Sequence, residues 1–271
     1  MPTSPPLGRY LHGHHDSVLR SHRWRTVENS AAYLLPKLRI DATVLDAGCG
    51  PGTISAGLAE RVPEGSVVAI DTAEGIVTAS AVQAAAEGQA NLRFAVGDVY
   101  RLDFGDASFD VVHAHQVLQH LSDPVAALVE MRRVCRPGGV VAARDGDFGA
   151  MFWYPSSDVM SEWRDLYCAV ARSTGGEPEA GRHLASWARS AGFSEIETSV
   201  SAWCFATTEE RLWWGNLWAE RITASRFAEQ AIGARLAQRA DLDRLAGGWR
   251  RWIADEDGMF AVVHGEILCS V

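Results

Sequence analysis

The chain reads as an α/β protein built on a mostly parallel sheet with helices on both faces, and three observations lead there. A glycine-rich turn, Asp46-Ala47-Gly48-Cys49-Gly50-Pro51-Gly52-Thr53-Ile54, joins a short β-like stretch, Thr43-Val44-Leu45, to a helical pattern over residues 54–61. Apolar runs such as Val67-Val68-Ala69-Ile70, closed by Asp71, read as buried parallel strands. Between residues 41 and 145 the signals alternate in the order β-α-β-α-β-β-α-β, which places helices on both faces of one sheet.

Taken in order, residues 1–8 are Pro-rich and polar and read as a short tail. They lack the charged and apolar regions of a signal peptide, so a cytoplasmic protein is expected. Residues 9–40 form a helical segment whose main helix is expected over 17–35, capped by Asp16 or Ser17 and closed near Pro36. After the glycine turn and Asp71, a third strand is read at Leu92-Arg93-Phe94-Ala95-Val96, leading into Gly97-Asp98-Val99. A fourth is read at Phe109-Asp110-Val111-Val112-His113-Ala114-His115, followed by Gln116. A helix over 128–134 leads through Arg136-Pro137-Gly138-Gly139 to a fifth strand at Val140-Val141. The last part, 146–271, starts irregularly around Asp147 and Trp153 and then reads as helices at 156–174 and 178–190, a strand over 192–203, a helical stretch over 208–246 and a final strand over 259–269. Three parts are therefore expected: 1–40, 41–145 and 146–271.

The turn has its own chemistry. Glycine lets a ligand come close because no Cβ obstructs it, and a strand–turn–helix unit aims backbone N–H groups at that ligand. A nucleotide-like cofactor at the carboxyl edge of the sheet fits that geometry. Asp71 at the second strand tip can accept from both ribose hydroxyls, with Thr72 beside it; a helix N-cap is the competing role, and the two can coexist. Asp98 can accept from an adenine amino group while Val99 offers its N–H to the ring. The glycines fall at 48, 50 and 52 rather than as G-x-G-x-x-G, and this spacing argues against a nicotinamide-dependent oxidoreductase.

In this order and register the segments from about 42 to 145 resemble motifs I to V of the class I S-adenosylmethionine (SAM) methyltransferases, with the UbiE-like, methyltransferase type 11 group as the nearest look-alikes. The resemblance implies a Rossmann-like fold with a seven-stranded, mostly parallel sheet whose last strand is antiparallel, a helical N-terminal lid and a helical cap inserted before that strand. It implies SAM as cofactor, bound by Asp46, Gly48, Gly50, Gly52, Thr53, Asp71, Thr72, Gly97, Asp98, Val99, His115 and Gln116. Tyr10 would reach the methionine carboxylate from the lid, and Arg20, Arg23 or Arg25 could pair with it bidentately, with surface ion pairing as their alternative. Every expected cofactor position is present, which leaves a non-catalytic SAM-binding protein without support.

Composition narrows the acceptor. A net charge of −9 over 271 residues argues against a nucleic-acid partner. No apolar run approaches the ~20 residues of a membrane span. The five cysteines form no C-x-x-C pair, so no metal site is expected, and Cys49 reads as a packing residue. Homo-oligomer formation stays open. Nine of the ten tryptophans follow residue 150, where such enzymes build acceptor sites. They read either as core packing or as the wall of an aromatic pocket, with Trp214 and Trp218 on one helical face.

Methyl transfer from a sulfonium is an in-line displacement with a neutral leaving group, so alignment and exclusion of water matter most, and a base only where the acceptor must lose a proton. Candidate bases are His14, His15, His113, His115, His120, Asp145 and Asp147. His115 is the best placed and Asp147 second. His113 and His115 share a strand face, and His113 and His120 are read as structural. The acceptor pocket is expected between His115, Asp147, Trp153 and Trp214, with His14, His15 and Trp218 contributing. The expected reaction is methylation of a small aromatic or otherwise apolar metabolite, such as C- or N-methylation of an indole-like acceptor; a quinone-precursor C-methyltransferase is the alternative.

Overall fold

The computed structural model describes residues 16–271. Five parallel strands form the central sheet: β1 (Thr43–Ala47), β2 (Ser66–Asp71), β3 (Leu92–Val96), β4 (Phe109–His115) and β5 (Cys135–Gly146). They lie in the order β3-β2-β1-β4-β5. The β4–β5 register shifts between Phe109 and Val111, so β5 starts at Cys135, ahead of the glycine pair.

Four helices serve this half: α3 (Thr53–Arg61), α4 (Glu74–Ala86), α5 (Pro124–Val134) and, from the later chain, α7 (Ala180–Ser190). One apolar layer gathers Val27, Leu34, Val44, Ile54, Leu58 and Val111. A second gathers Leu45, Val112, Leu128, Met131, Val141 and Leu184 on the other face. Residues 44 and 45, or 111 and 112, fall into opposite layers because strand side chains alternate, which is why these strands are apolar throughout.

The sixth and seventh expected strands are β7 (Ile196–Phe205) and β8 (Met259–Ser270), which pair antiparallel over all of β7 and residues 260–269 of β8. β8 also runs antiparallel to β5 through residues 264–270. The fold is thus the expected Rossmann-like methyltransferase sheet, extended by a three-residue strand, β6 (Phe152–Tyr154), on residues 259–261 of β8.

The expected single helix over 17–35 is two: α1 (Asp16–Arg23) and α2 (Val27–Ser30). Thr26 between them is extended and forms a reciprocal capping box with Asn29, which ends one helix and starts the next. The break turns Trp24 onto Trp203, Phe205 and Trp213. The helical run expected over 208–246 is α8 (Thr208–Ala224), α9 (Arg226–Gly233) and α10 (Arg239–Ala254). Ser225, extended, closes α8 and caps α9 through Phe227 N–H. With α6 (Asp158–Ser173) these helices enclose a third core in which Trp163 and Trp249 are fully buried, 4.8 Å apart and edge to face. Such pairs add about 0.5–1.5 kcal/mol beyond area burial. Among the described residues no helix is long and apolar enough to cross a membrane.

Candidate active site

Three strand ends and one glycine turn meet at a single cavity. At the turn, the N–H groups of Gly48 and Cys49 both donate to the Ile70 carbonyl, tying the loop to β2. Gly48, Gly50 and Gly52 all have positive φ, but for different reasons. A Cβ at Gly48 would lie 2.4 Å from Val117 Cγ2, and one at Gly52 would lie 2.5 Å from Phe94 Cζ. At Gly50 the nearest atom is His22 Nδ1 at 3.8 Å. Gly48 and Gly52 are therefore fixed by packing, while Gly50 faces the cavity, the cradle that a side chain would fill. Gly52 itself lies outside the cavity lining, against its expected ligand contact.

Asp46 lines the cavity, but both its oxygens are engaged: His113 Nδ1 donates to Oδ1 at 2.8 Å and Ser55 Oγ to Oδ2 at 2.5 Å. It braces β1 against β4 and α3, and His113 has the structural place expected of it. Asp71 accepts from Gly50 N–H and Ala73 N–H, each at 3.0 Å and each on a different oxygen. A carboxylate has about four lone-pair sites, so these bonds leave capacity for a ribose. The N-cap of α4 is Ala73, with no side-chain cap bond, so Asp71 fixes the turn rather than capping the helix and keeps room for a ligand. Thr53, Thr72, Gly97, Asp98 and Val99 line the same cavity, and Asp98 Oδ1 is held by Tyr100 N–H at 2.9 Å. Burial pushes the Cys49 thiol up, so it stays a thiol. The N–H groups of residues 48, 49, 50 and 52 are used within the protein rather than aimed at a ligand. What fits a SAM-like cofactor is the open face at Gly50, the Asp71 tip and the Asp98–Val99 edge, with Ile70 and Ile76 in the same lining.

A strap from the N-terminal helices crosses the cavity. Leu19, Ser21, His22 and Arg25 line it, and Thr53 Oγ1 donates to the His22 carbonyl at 3.3 Å. Arg25 Nη2 donates to Gln116 Oε1 at 2.5 Å, and Gln116 Nε2 donates to His264 Nε2 at 2.8 Å. Gln116 sits at φ +52, where a non-glycine side chain is rare. Its amide is thus spent on holding the strap to β8, a positioning role that the cofactor assignment did not include. Of the three candidate arginines, Arg25 reaches the cavity, Arg20 pairs with Glu220, and Arg23 lies on the exposed side. Tyr10, His14 and His15 lie outside the described residues.

Past His115 the cavity becomes an aromatic chamber of Phe148, Tyr167, Trp203, Trp214 and Trp218. Trp214 stacks on Phe205 at 4.3 Å, and Trp203 Nε1 donates to the Asn29 carbonyl at 2.6 Å. Trp214 and Trp218 line this chamber. Trp153 does not: it stacks on Phe260 and lies outside the lining. Asp147 is also displaced. Buried beside the start of α7, it takes both Arg182 Nε and Nη2 at 2.7 Å and caps the Ala150 N–H. It cannot reach a ligand without breaking that pair, so the catalytic assignment to Asp147 is withdrawn. Asp145 is wholly buried, accepts from Gln119 N–H, and burial raises its carboxyl to about 7.

His115 borders both halves, and neither ring nitrogen has a hydrogen-bond partner among the described residues. Burial, then Arg25, Arg144 and His264, hold its pKa well below the ordinary imidazole range. This imidazole is therefore neutral at physiological pH, and the reading of His115 as the best-placed base is weakened. His120 is lowered to about 3 by burial and then by Arg25.

The residues that sequence reasoning missed, Phe148, Tyr167 and Trp203, come from a loop, α6 and β7, and converge only on folding. For Trp203 a signal existed in its alternation with Phe205 on a strand, which places both on one face.

Comparison with known proteins bears on the whole chain. A family model described as a methyltransferase domain matches residues 44–139. An uncharacterized methyltransferase of Schizosaccharomyces pombe is 36% identical over 270 residues, spanning 96% of this chain and 95% of that protein. A "probable methyltransferase" of Aspergillus luteorubrus is 27% identical over 286 residues, spanning 99% of each. Among solved structures, the YcgJ protein of Bacillus subtilis superposes with a TM-score of 0.60 at 16% identity, covering 90% of this chain and 98% of that one, a likeness of fold.

Proposed function

Because the chain belongs to the class I SAM-dependent methyltransferases, it transfers a methyl group to a small molecule, and we propose that this acceptor is apolar with an aromatic face, held in the chamber of Trp203, Trp214 and Trp218. The observation that carries the proposal is continuity: one cavity contains the Gly50, Asp71 and Asp98 edge and the aromatic chamber, with His115 between them.

When bound, SAM supplies an electrophilic methyl on a positively charged sulfur. The chain's own task is alignment. The aromatic walls confine the acceptor, the strap of Leu19, His22 and Arg25 covers the junction, and both exclude water. His115 has two uncommitted ring nitrogens for orienting a polar group of the acceptor. A depressed pKa makes it a weak proton acceptor, which favours orientation over proton abstraction. An acceptor whose reacting atom is already nucleophilic suits such a site.

The test is a screen of aromatic and of non-aromatic polar acceptors with methyl-labelled SAM, followed by two variants on any hit. His115→Ala should lower kcat with SAM affinity retained. Trp214→Phe should raise the acceptor KM with little change in kcat, because it trims contact common to ground and transition states. Labelling confined to non-aromatic polar acceptors would refute the proposal.

A further inference from the structure

A second cavity opens between the α2 turn and strands β5, β7 and β8, lined by Tyr33, Arg144, Ser201, Trp203 and Glu266. Trp203 is the wall it shares with the main cavity. Arg144 is almost wholly buried there. Its Nε donates to Ser201 Oγ at 3.0 Å and to Glu266 Oε1 at 3.1 Å. Glu266 is further occupied by the hydroxyls of Ser199 and Ser201. The two η nitrogens of Arg144 are buried without a hydrogen-bond partner among the described residues, and so is the Tyr33 hydroxyl.

Glu28, paired with Arg61, and Glu266 also line the cavity, but the groups left without partners are all donors. A guanidinium engaged along its Nε edge still offers its terminal pair of N–H groups, a fork that matches a planar carboxylate with two parallel hydrogen bonds. A phenol hydroxyl beside it adds a third donor. Burial brings Arg144 down to about 10 even with Glu266 alongside, so one carboxylate does not offset its desolvation.

We propose that this cavity binds a small carboxylate, end-on at the η nitrogens of Arg144 and with Tyr33 Oη donating to the same group. The carboxylate can be a free small anion or the end of a larger metabolite. The site communicates with the active site through two contacts. The Arg144 guanidinium lies 5.0 Å from the Trp203 ring centroid, and Trp203 in turn lies 5.9 Å from His115. The charges around Arg144 are Glu266 on β8, Asp145 on β5, and the neutral imidazoles His115 and His264.

The test uses the full chain saturated with S-adenosylhomocysteine, so that the main cofactor site is filled. Formate and acetate are titrated against chloride at constant ionic strength, with tryptophan indole N–H resonances as the readout and Trp203 assigned through Trp203→Phe. A saturable shift of the Trp203 resonance with formate or acetate, and none with chloride, supports the site. Tyr33→Phe should then weaken binding by at least about threefold, the loss of one hydrogen bond. Arg144→Lys, which keeps the charge and removes the fork, should abolish saturation; if that variant does not fold, Tyr33→Phe decides. A shift that grows linearly, that chloride reproduces, or that has the same midpoint in Tyr33→Phe overturns the proposal and leaves a water-filled pocket.

Discussion

The proposed cofactor edge and the proposed acceptor chamber share one cavity but are built in opposite ways. The edge is made of short local units, each a strand end with its following loop: Asp46 to Thr53, Asp71 and Thr72, Gly97 to Val99. Its cavity-facing groups are largely glycine backbone and carboxylates. The chamber is made of side chains from β7, α6, α8 and the loop after β5, drawn together from residues 148 to 218. A site of the first kind can be read along the chain, whereas one of the second kind exists only in the assembled fold. Such a division also lets the acceptor site change while the cofactor site stays fixed.

The sharpest way to break this comparison is Gly50→Val. Position 50 has φ +53 and faces open cavity. A left-handed residue with a Cβ costs about 1–2 kcal/mol in backbone strain alone, before the side chain enters the cofactor space. Calorimetric titration should show SAM binding lost while the cap stays folded. Retained affinity would mean that the ligand does not approach Gly50.

Asp71→Ala is expected next in size. It removes the acceptor of Gly50 N–H and Ala73 N–H together with the proposed ribose contact. Bonds to a charged group contribute about 1.5–3 kcal/mol each, so SAM affinity should fall by about tenfold or more and Tm should fall with it. A drop in Tm with unchanged affinity would reduce Asp71 to a brace between the glycine turn and the start of α4.

The core between the two halves carries a pH signature. Burial is the largest cause holding His115, His120 and His264 below the ordinary imidazole value. Unfolding releases them to bind protons below about pH 6.5, so their contribution to stability is present above that pH and lost as pH falls. Asp145, raised to about 7 by burial, has the opposite sign: its contribution is full below about pH 3.9 and is lost as pH rises through its folded value. Three groups against one set the direction, and Tm should decrease between about pH 7 and about pH 5. A Tm that rises on acidification would show the imidazoles to be solvated rather than buried.

The smallest effect belongs to Asp147→Asn. Arg182, its partner, is about half exposed, and such pairs contribute about 0–1 kcal/mol. Tm should fall slightly, with kcat and both KM values unchanged. A large loss of kcat would return Asp147 to the chemistry.

That case also marks where the sequence was legible. The parallel strands and the glycine turn follow from apolar periodicity and glycine spacing, because each depends on neighbours within about ten residues, whereas the full set of proposed cofactor residues at the strand tips comes with the methyltransferase resemblance. Asp147 misled because a strand-end acid looks the same whether it faces a ligand or an arginine 35 positions on. Trp153 and Trp214 lie in the same tryptophan-rich part of the chain, and both contact Phe260, yet only Trp214, on α8, reaches the cavity, while Trp153 lies on β6 at the sheet edge. The break at Thr26 had a local signal in the Thr26-to-Asn29 capping pair.

The division between the two halves is tested most directly by a crystal structure of the chain with S-adenosylhomocysteine. The expected result is the ribose on Asp71, the adenine beside Asp98 and Val99, and the sulfur turned toward His115 with the Trp203, Trp214 and Trp218 chamber still open. A ligand lying within that aromatic chamber, with Asp71 turned away from it, would contradict the division.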